Sequence, residues 1–204
     1  MVDKIYIVHF EKLKERKKYI DRVLLHPFFL GKTKLINSDE NKDKSILLKN
    51  NSFYDKRWSQ GLKKIEIIHA EQMFSIYEDI KKEGFINSLI LEDDFILSNN
   101  FDNYIGLFDS LPSDFDCVFM SSCSGLKVSN NFNGRFYESE MSRCTCAYIV
   151  SLNFCKKITI NRRYFSPIDW HLNFIKKELG LKYYWTKDII FEQGSETVYK
   201  SNVR

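Results

Sequence analysis

Residues 88–98, SLILEDDFILS, set three consecutive acids, Glu92, Asp93 and Asp94, inside an apolar run. Adjacent carboxylates repel one another, and each loses hydration where the site is enclosed. Such an arrangement is stable if a cation shares the site. Hard oxygen donors at a strand end favour Mg2+ or Mn2+, held by one or two carboxylates together with phosphate oxygens. Residues i and i+2 of an extended chain project to the same side, which sends Glu92 and Asp94 toward one point and Asp93 elsewhere. The plain alternative is a set of acids capping a turn. A phosphate-bearing ligand would lean on the metal, because neither GxxxxGK[ST] nor GxGxxG occurs anywhere in the chain.

A second group of candidates lies near residue 169. Ser166-Pro167-Ile168-Asp169 reads as the N-cap and first three positions of a helix, where free amides and the helix dipole favour an acid. His171 is a candidate further metal ligand. Trp170, Tyr183, Tyr184 and Trp185 are candidates for a ring-stacking platform, with core packing the competing use. His69 falls on the inward face of a helical pattern, the place of a hydrogen-bonded core histidine.

These residues need elements to position them. Lys4 to His9 alternates and is rich in Ile, Tyr and Val, which predicts a first strand. Residues 11–24 show a helical pattern with Leu13, Ile20, Val23 and Leu24 on one side. Residues 33–36 predict a second strand, and the polar, Lys- and Asn-rich stretch 40–56 a loop. Ile65, His69, Met73, Ile76 and Ile80 share one helical face over residues 60–83, with Gly84 placed to end the helix. The acid-interrupted strand follows, then a short helix near 101–111 and a buried strand at 117–120. Residues 124–140 predict hairpins and loops, 145–150 a strand, 152–159 a short helix, 167–179 a longer one, and 182–185 and 189–191 the last strands. Strands alternating with helices early and crowding later indicate α/β architecture: one domain with a mainly parallel central sheet and a mixed β C-terminal portion. In such sheets ligands collect at the carboxyl ends of the strands, where Glu92-Asp93-Asp94 falls.

A chain of 204 residues is long enough for one substantial core. Its 44% hydrophobic and 28% charged residues are ordinary for a globular protein. No apolar run is long enough for a membrane span, and the N-terminus carries no signal-peptide pattern, so the expected location is cytoplasmic with no transmembrane segment, peripheral membrane contact remaining open. The five cysteines, Cys117, Cys123, Cys144, Cys146 and Cys155, show no CxxC spacing, and buried reduced thiols are expected. Charge is uneven: residues 1–64 hold 16 Lys and Arg against 8 Asp and Glu, and the remainder 15 against 19. A basic first third can attract phosphate, as a nucleotide or as nucleic acid, or can be the wet face of a helix carrying KLKERKK.

Several segments together resemble glycosyltransferase family 25, the lipooligosaccharide and procollagen galactosyltransferase group. Residues 8–20, VHFEKLKERKKYI, resemble its opening, and residues 60–69, QGLKKIEIIH, its His-bearing helix. Leu91-Glu92-Asp93-Asp94 is similar to its acidic DxD-like motif, and residues 146–151 to its Ala-Tyr-hydrophobic-Ser segment. Pro167-Ile168-Asp169-Trp170 resembles its Pro-x-Asp motif, and Gln193-Gly194-Ser195 with Ser201 its C-terminal end. His9, Lys14 and Ile68 depart from that pattern. The resemblance implies a GT-A (Rossmann-like) fold, residues 1–98 forming the nucleotide-sugar half and 99–204 the acceptor-side half. It implies a UDP-sugar donor, a glycan or glycoconjugate acceptor, and Mn2+ or Mg2+ held by Asp94 and Glu92. Val8, His9, Arg16, Asp39, Lys63, Glu92 and Asp93 would contact the donor or its metal. The family inverts configuration, which calls for a base, and Asp169 is the candidate. No nucleic acid is expected in this reading. The alternatives are a nucleic-acid- or partner-binding module using the basic N-terminal face, or a metal-dependent phosphohydrolase.

Overall fold

The computed structural model describes residues 1–38, 62–160, 162 and 166–199. Asp39, the stretch 40–56, Gln60, Gly61 and Ser201 lie outside the described residues. Strand β1 (Lys4–Phe10) is buried along its middle five residues, as a strand covered on both faces must be. Its alternation divides the molecule. Tyr6 and Val8 enter one core with Phe74, Tyr77, Tyr148, Phe154 and Leu172. Ile5 and Ile7 enter another with Leu89, Leu91, Phe29, Phe101 and Phe108.

β1 pairs in parallel with β2 (Thr33–Ser38) and β3 (Asn87–Glu92), placing Val8 beside both Ile36 and Glu92. Helix α1 (Lys14–Val23) links β1 to β2, and α2 (Lys64–Glu83) precedes β3. α2 ends at Gly84, whose left-handed backbone (φ 75°) turns its amide onto the Ile80 carbonyl. A residue with a Cβ is disfavoured in that conformation, so the predicted stop has a backbone cause. The sheet continues through β7 (Ala147–Ser151), β5 (Cys117–Phe119), β8 (Tyr183–Thr186) and β6 (Phe136–Ser139), in the order β2-β1-β3-β7-β5-β8-β6. β7 and β6 oppose the other five strands, so the predicted α/β domain has a mainly parallel seven-stranded sheet with its mixed part toward the C-terminus. Helices α3 (Leu152–Ile160) and α4 (Ile168–Glu178) complete the layer on the α2 side.

Three points refine or correct the sequence reading. The acid-interrupted run is two strands: β3 stops at Glu92, Asp93 and Asp94 form the turn, and Phe95–Leu97 is β4, paired antiparallel with β9 (Phe191–Gln193) in a separate two-stranded sheet. The segment near 101–111 is a 3-10 helix, Phe101–Asp109, whose Phe101 and Phe108 plug the second core. The expected set of reduced thiols holds for Cys117, Cys146 and Cys155, which are free and buried, and fails for Cys123 and Cys144, which form a disulfide. Positive φ at Ser124 and Cys144 bends the two loops so that the paired Cα atoms lie 5.8 Å apart. No helix among the described residues is long and apolar enough to cross a membrane.

Candidate active site

The carboxyl ends of β1 and β3, the N-terminal part of α2, the start of α4 and the chain after β9 enclose a cleft of about 750 Å3. Val8, Arg16, Glu92, Asp93, Asp94 and Asp169 all line it. His9 stands behind the wall, and Lys63 is exposed at the start of α2, outside the lining. The Lys63 amide donates to the Glu66 carboxylate (2.7 Å), a reciprocal cap that turns the Glu66 side chain back to the start of the helix.

The three acids take three different tasks. Asp93 is 4% exposed and ties the site together: the Phe10 amide (2.9 Å), His9 Nδ1 (3.0 Å) and the Arg16 guanidinium (2.5 Å) all reach its carboxylate. Burial raises its pKa, but the His9 ring and Arg16 outweigh burial and hold the carboxyl below the usual range. Glu92 turns toward β7, accepting from the Thr145 hydroxyl (2.5 Å) and facing His69 Nε2 at 3.4 Å. Burial, followed by the charge of Asp94, pushes the Glu92 carboxyl up to about 8, while burial pushes the His69 imidazole down to about 4. Burial thus favours the uncharged form of both partners, the protonated carboxyl and the neutral imidazole.

Asp94 is 5% exposed, and its Oδ1 is buried with no hydrogen-bond partner. Its carbonyl accepts the Gly194 amide at 2.6 Å, which pins the acid turn to the segment after β9. A Cβ on Gly194 would stand 2.6 Å from that carbonyl, so only glycine permits the approach.

Asp169 lies in the first turn of α4, which starts at Ile168, one residue later than the sequence pattern places it. Burial raises its carboxyl, opposed by the Trp170 amide that donates to Oδ1 (2.9 Å). The Ser142 hydroxyl accepts no part of the charge; it donates to the Asp169 carbonyl (3.0 Å) and anchors the helix start. Trp170 lines the cleft and is 53% exposed, whereas Tyr183 and Trp185 are buried, Trp185 donating Nε1–H to the Met141 carbonyl. Of the four aromatic candidates, Trp170 alone borders the site. His171 is buried against the Phe74 ring, away from the lining.

The sequence reading missed four contributors. His69 borders the cleft instead of the core, with its side chain 20% exposed. Glu66 and Thr145 join it there, as does Glu196, whose carboxylate accepts the Ser124 amide at 2.6 Å. A helical face shared by Glu66 and His69, three residues apart, is the one signal that could have found the pair.

Six carboxylates thus border one cleft, with Arg16 and His69 the basic side chains among the described lining residues. No three His, Cys, Asp or Glu side chains among the described residues already converge as a metal cage. Even so, the donor set fits Mg2+ or Mn2+: the oxygens are hard, and Asp94 Oδ1 is buried with no hydrogen-bond partner, the weakly donating Cys146 thiol being a neighbour of this carboxylate.

No protein-family model matches the chain, and no curated protein matches it. Among solved structures, it is similar to a glycosyltransferase involved in the glycosylation of the major capsid of PBCV-1. That match has a TM-score of 0.54 and 11% identity, and covers 97% of this chain and 94% of the other, so the fold is shared over essentially the whole length. Looser matches are mouse xyloside xylosyltransferase 1 in its apo form (TM-score 0.39, 14% identity, 85% and 68% covered) and A197 from STIV (TM-score 0.42, 9% identity, 99% and 98% covered). Both superpose too loosely to bear on the fold.

Proposed function

We propose that this protein is a glycosyltransferase that moves a sugar from a UDP-sugar to a hydroxyl of a glycan or glycoconjugate, with Mn2+ or Mg2+ on the donor diphosphate. The observation that carries this reading is Asp94: a buried carboxylate with an unsatisfied oxygen, at the carboxyl end of a parallel strand, in a cleft of ligand size. Its fold, shared with a glycosyltransferase, and the ordered resemblance to glycosyltransferase family 25 support it.

Asp94 and Glu92 would hold the cation, which when bound stabilises the charge growing on the leaving diphosphate. Glu92 must give up its proton to serve as a ligand, and the cation's charge supplies the drive. Asp93 needs no such change. It fixes the His9–Phe10 end of β1 and Arg16 on α1, shaping the donor side near Val8. Asp169 stands across the cleft as the base that takes the acceptor hydroxyl's proton as the oxygen attacks the anomeric carbon, inverting it. Its raised carboxyl pKa makes it a better proton acceptor than an exposed aspartate. The exposed Trp170 indole beside Asp169 offers an apolar face for the acceptor ring. In this scheme residues 1–98 supply most donor contacts and 99–204 the acceptor side.

Calorimetric titration with UDP, with and without Mn2+, tests the reading, GDP and CMP serving as controls. Metal-dependent, UDP-selective binding that Asp94→Asn abolishes is expected. Absence of nucleotide binding under every condition overturns it.

A further inference from the structure

β9 brings to the lining of the same cleft a second residue with an unsatisfied buried oxygen. Gln193 lines the pocket with Asp94, and its Oε1 is buried with no hydrogen-bond partner. The amide side chain is not held by its strand. The ladder to Phe95 and the bond from the Gln193 backbone N–H to the Ser122 hydroxyl Oγ (2.8 Å) use only the main-chain groups of Gln193. Two features keep the Gln193 backbone beside the acid turn. Phe95, directly after Asp94, is its register partner, and the next residue, Gly194, donates its amide to the Asp94 carbonyl at 2.6 Å.

A buried amide oxygen without a donor costs about 1–3 kcal/mol, and so does a buried carboxylate oxygen or more. Two of them, from segments clamped together, mark a place where something that accepts no hydrogen bond but attracts oxygen lone pairs is to sit. A hydrogen-bond donor from a ligand could satisfy one, but the surrounding acids make a cation the better match for both.

Resting on the cation reading above, we infer that Gln193 Oε1 is a further ligand of the divalent cation, joining Asp94 and Glu92 from the opposite strand. A neutral third ligand has a chemical consequence. The protein cage then carries at most two negative charges, which leaves the cation enough positive charge to attract a diphosphate into an otherwise acidic cleft. A third carboxylate would hold the metal more tightly and repel the donor.

The test is Mn2+ binding by the full chain, read from the electron paramagnetic resonance of free Mn2+, without any sugar donor or turnover. Gln193→Leu is expected to weaken Mn2+ binding by about tenfold or more, and Gln193→Glu to tighten it while weakening UDP binding in the presence of Mn2+. Asp94→Asn is the reference variant, expected to lose the site. Wild-type Mn2+ affinity in Gln193→Leu, with Asp94→Asn defective, overturns the role of Gln193 and leaves the carboxylate site standing. Equal Mn2+ affinity in wild type and Asp94→Asn overturns the cation reading itself. Should Gln193→Leu not fold, Gln193→Glu decides alone: unchanged Mn2+ and UDP binding there refutes the inference.

Discussion

Gly194→Ala is expected to destabilise the protein and loosen the acid turn, although local propensity predicts the reverse. Gly194 opens the short helix α5 (Gly194–Thr197), and its φ is not in the left-handed region. By backbone entropy alone, alanine there would stabilise by about 0.4–1 kcal/mol. Tertiary geometry opposes this. The added Cβ would meet the Asp94 carbonyl at 2.6 Å and the Tyr199 ring at 2.7 Å. The ring can rotate aside; the carbonyl is backbone, and it is already fixed by the Gly194 amide. Relief requires the β3–β4 turn and the start of α5 to move apart, weakening a hydrogen bond worth about 1 kcal/mol. Overpacking of this kind costs about 1–3 kcal/mol, which for a chain of this size lowers Tm by roughly 2–12 °C. Asp94 moves with its carbonyl, so Mn2+ affinity falls as well. Thermal unfolding followed by circular dichroism and a Mn2+ titration read both effects. A Tm equal to or above wild type, with unchanged Mn2+ affinity, refutes the clamp between Asp94 and Gly194.

Other expectations follow from the same geometry. Arg16→Met strips a charge partner from buried Asp93 and should cost about 3 kcal/mol in denaturant unfolding, with Asp93→Asn in the same chain recovering part of it; strict additivity of the two changes would refute their coupling. The Glu92 carboxyl titrates near 8 in the folded chain against 4.5 unfolded, so the folded state binds more protons in that window and stability falls as pH rises. His69, lowered from 6.5 to about 4, acts oppositely but only below 6.5. From pH 6.5 to 8 the metal-free protein should therefore lose up to about 2 kcal/mol, and Glu92→Gln should flatten the profile; equal slopes in the two proteins refute the assignment. Trp170→Ala should raise the acceptor KM about tenfold, near 1.4 kcal/mol, and leave UDP affinity and stability almost unchanged, as calorimetry and initial rates can check. Weakened UDP binding in that variant would place Trp170 on the donor side.

The elements were legible because their causes are local. The alternation of β1, the face shared by Ile65 to Ile80 and the stop at Gly84 depend on periodicity and one backbone conformation, which neighbouring residues set by themselves. The same holds for the acids: three carboxylates in an apolar run mark a candidate site wherever the chain folds. Their separate tasks were not legible. Asp93 is a fastener because β1 lies parallel beside β3 and α1 delivers Arg16. Glu92 is pushed toward its protonated form because distant segments close over it and bury it beside the charge of Asp94. Asp94 is left open because β9 returns to clasp its carbonyl and supplies no donor for its side chain. The disulfide likewise depends on two loops that meet only in space. Sequence thus determined which residues carry charge and which segments are strand or helix. Burial and partnership, which decide whether a carboxylate is a strut, a proton store or a ligand, are properties of contacts between distant segments, and only the tertiary structure decides those.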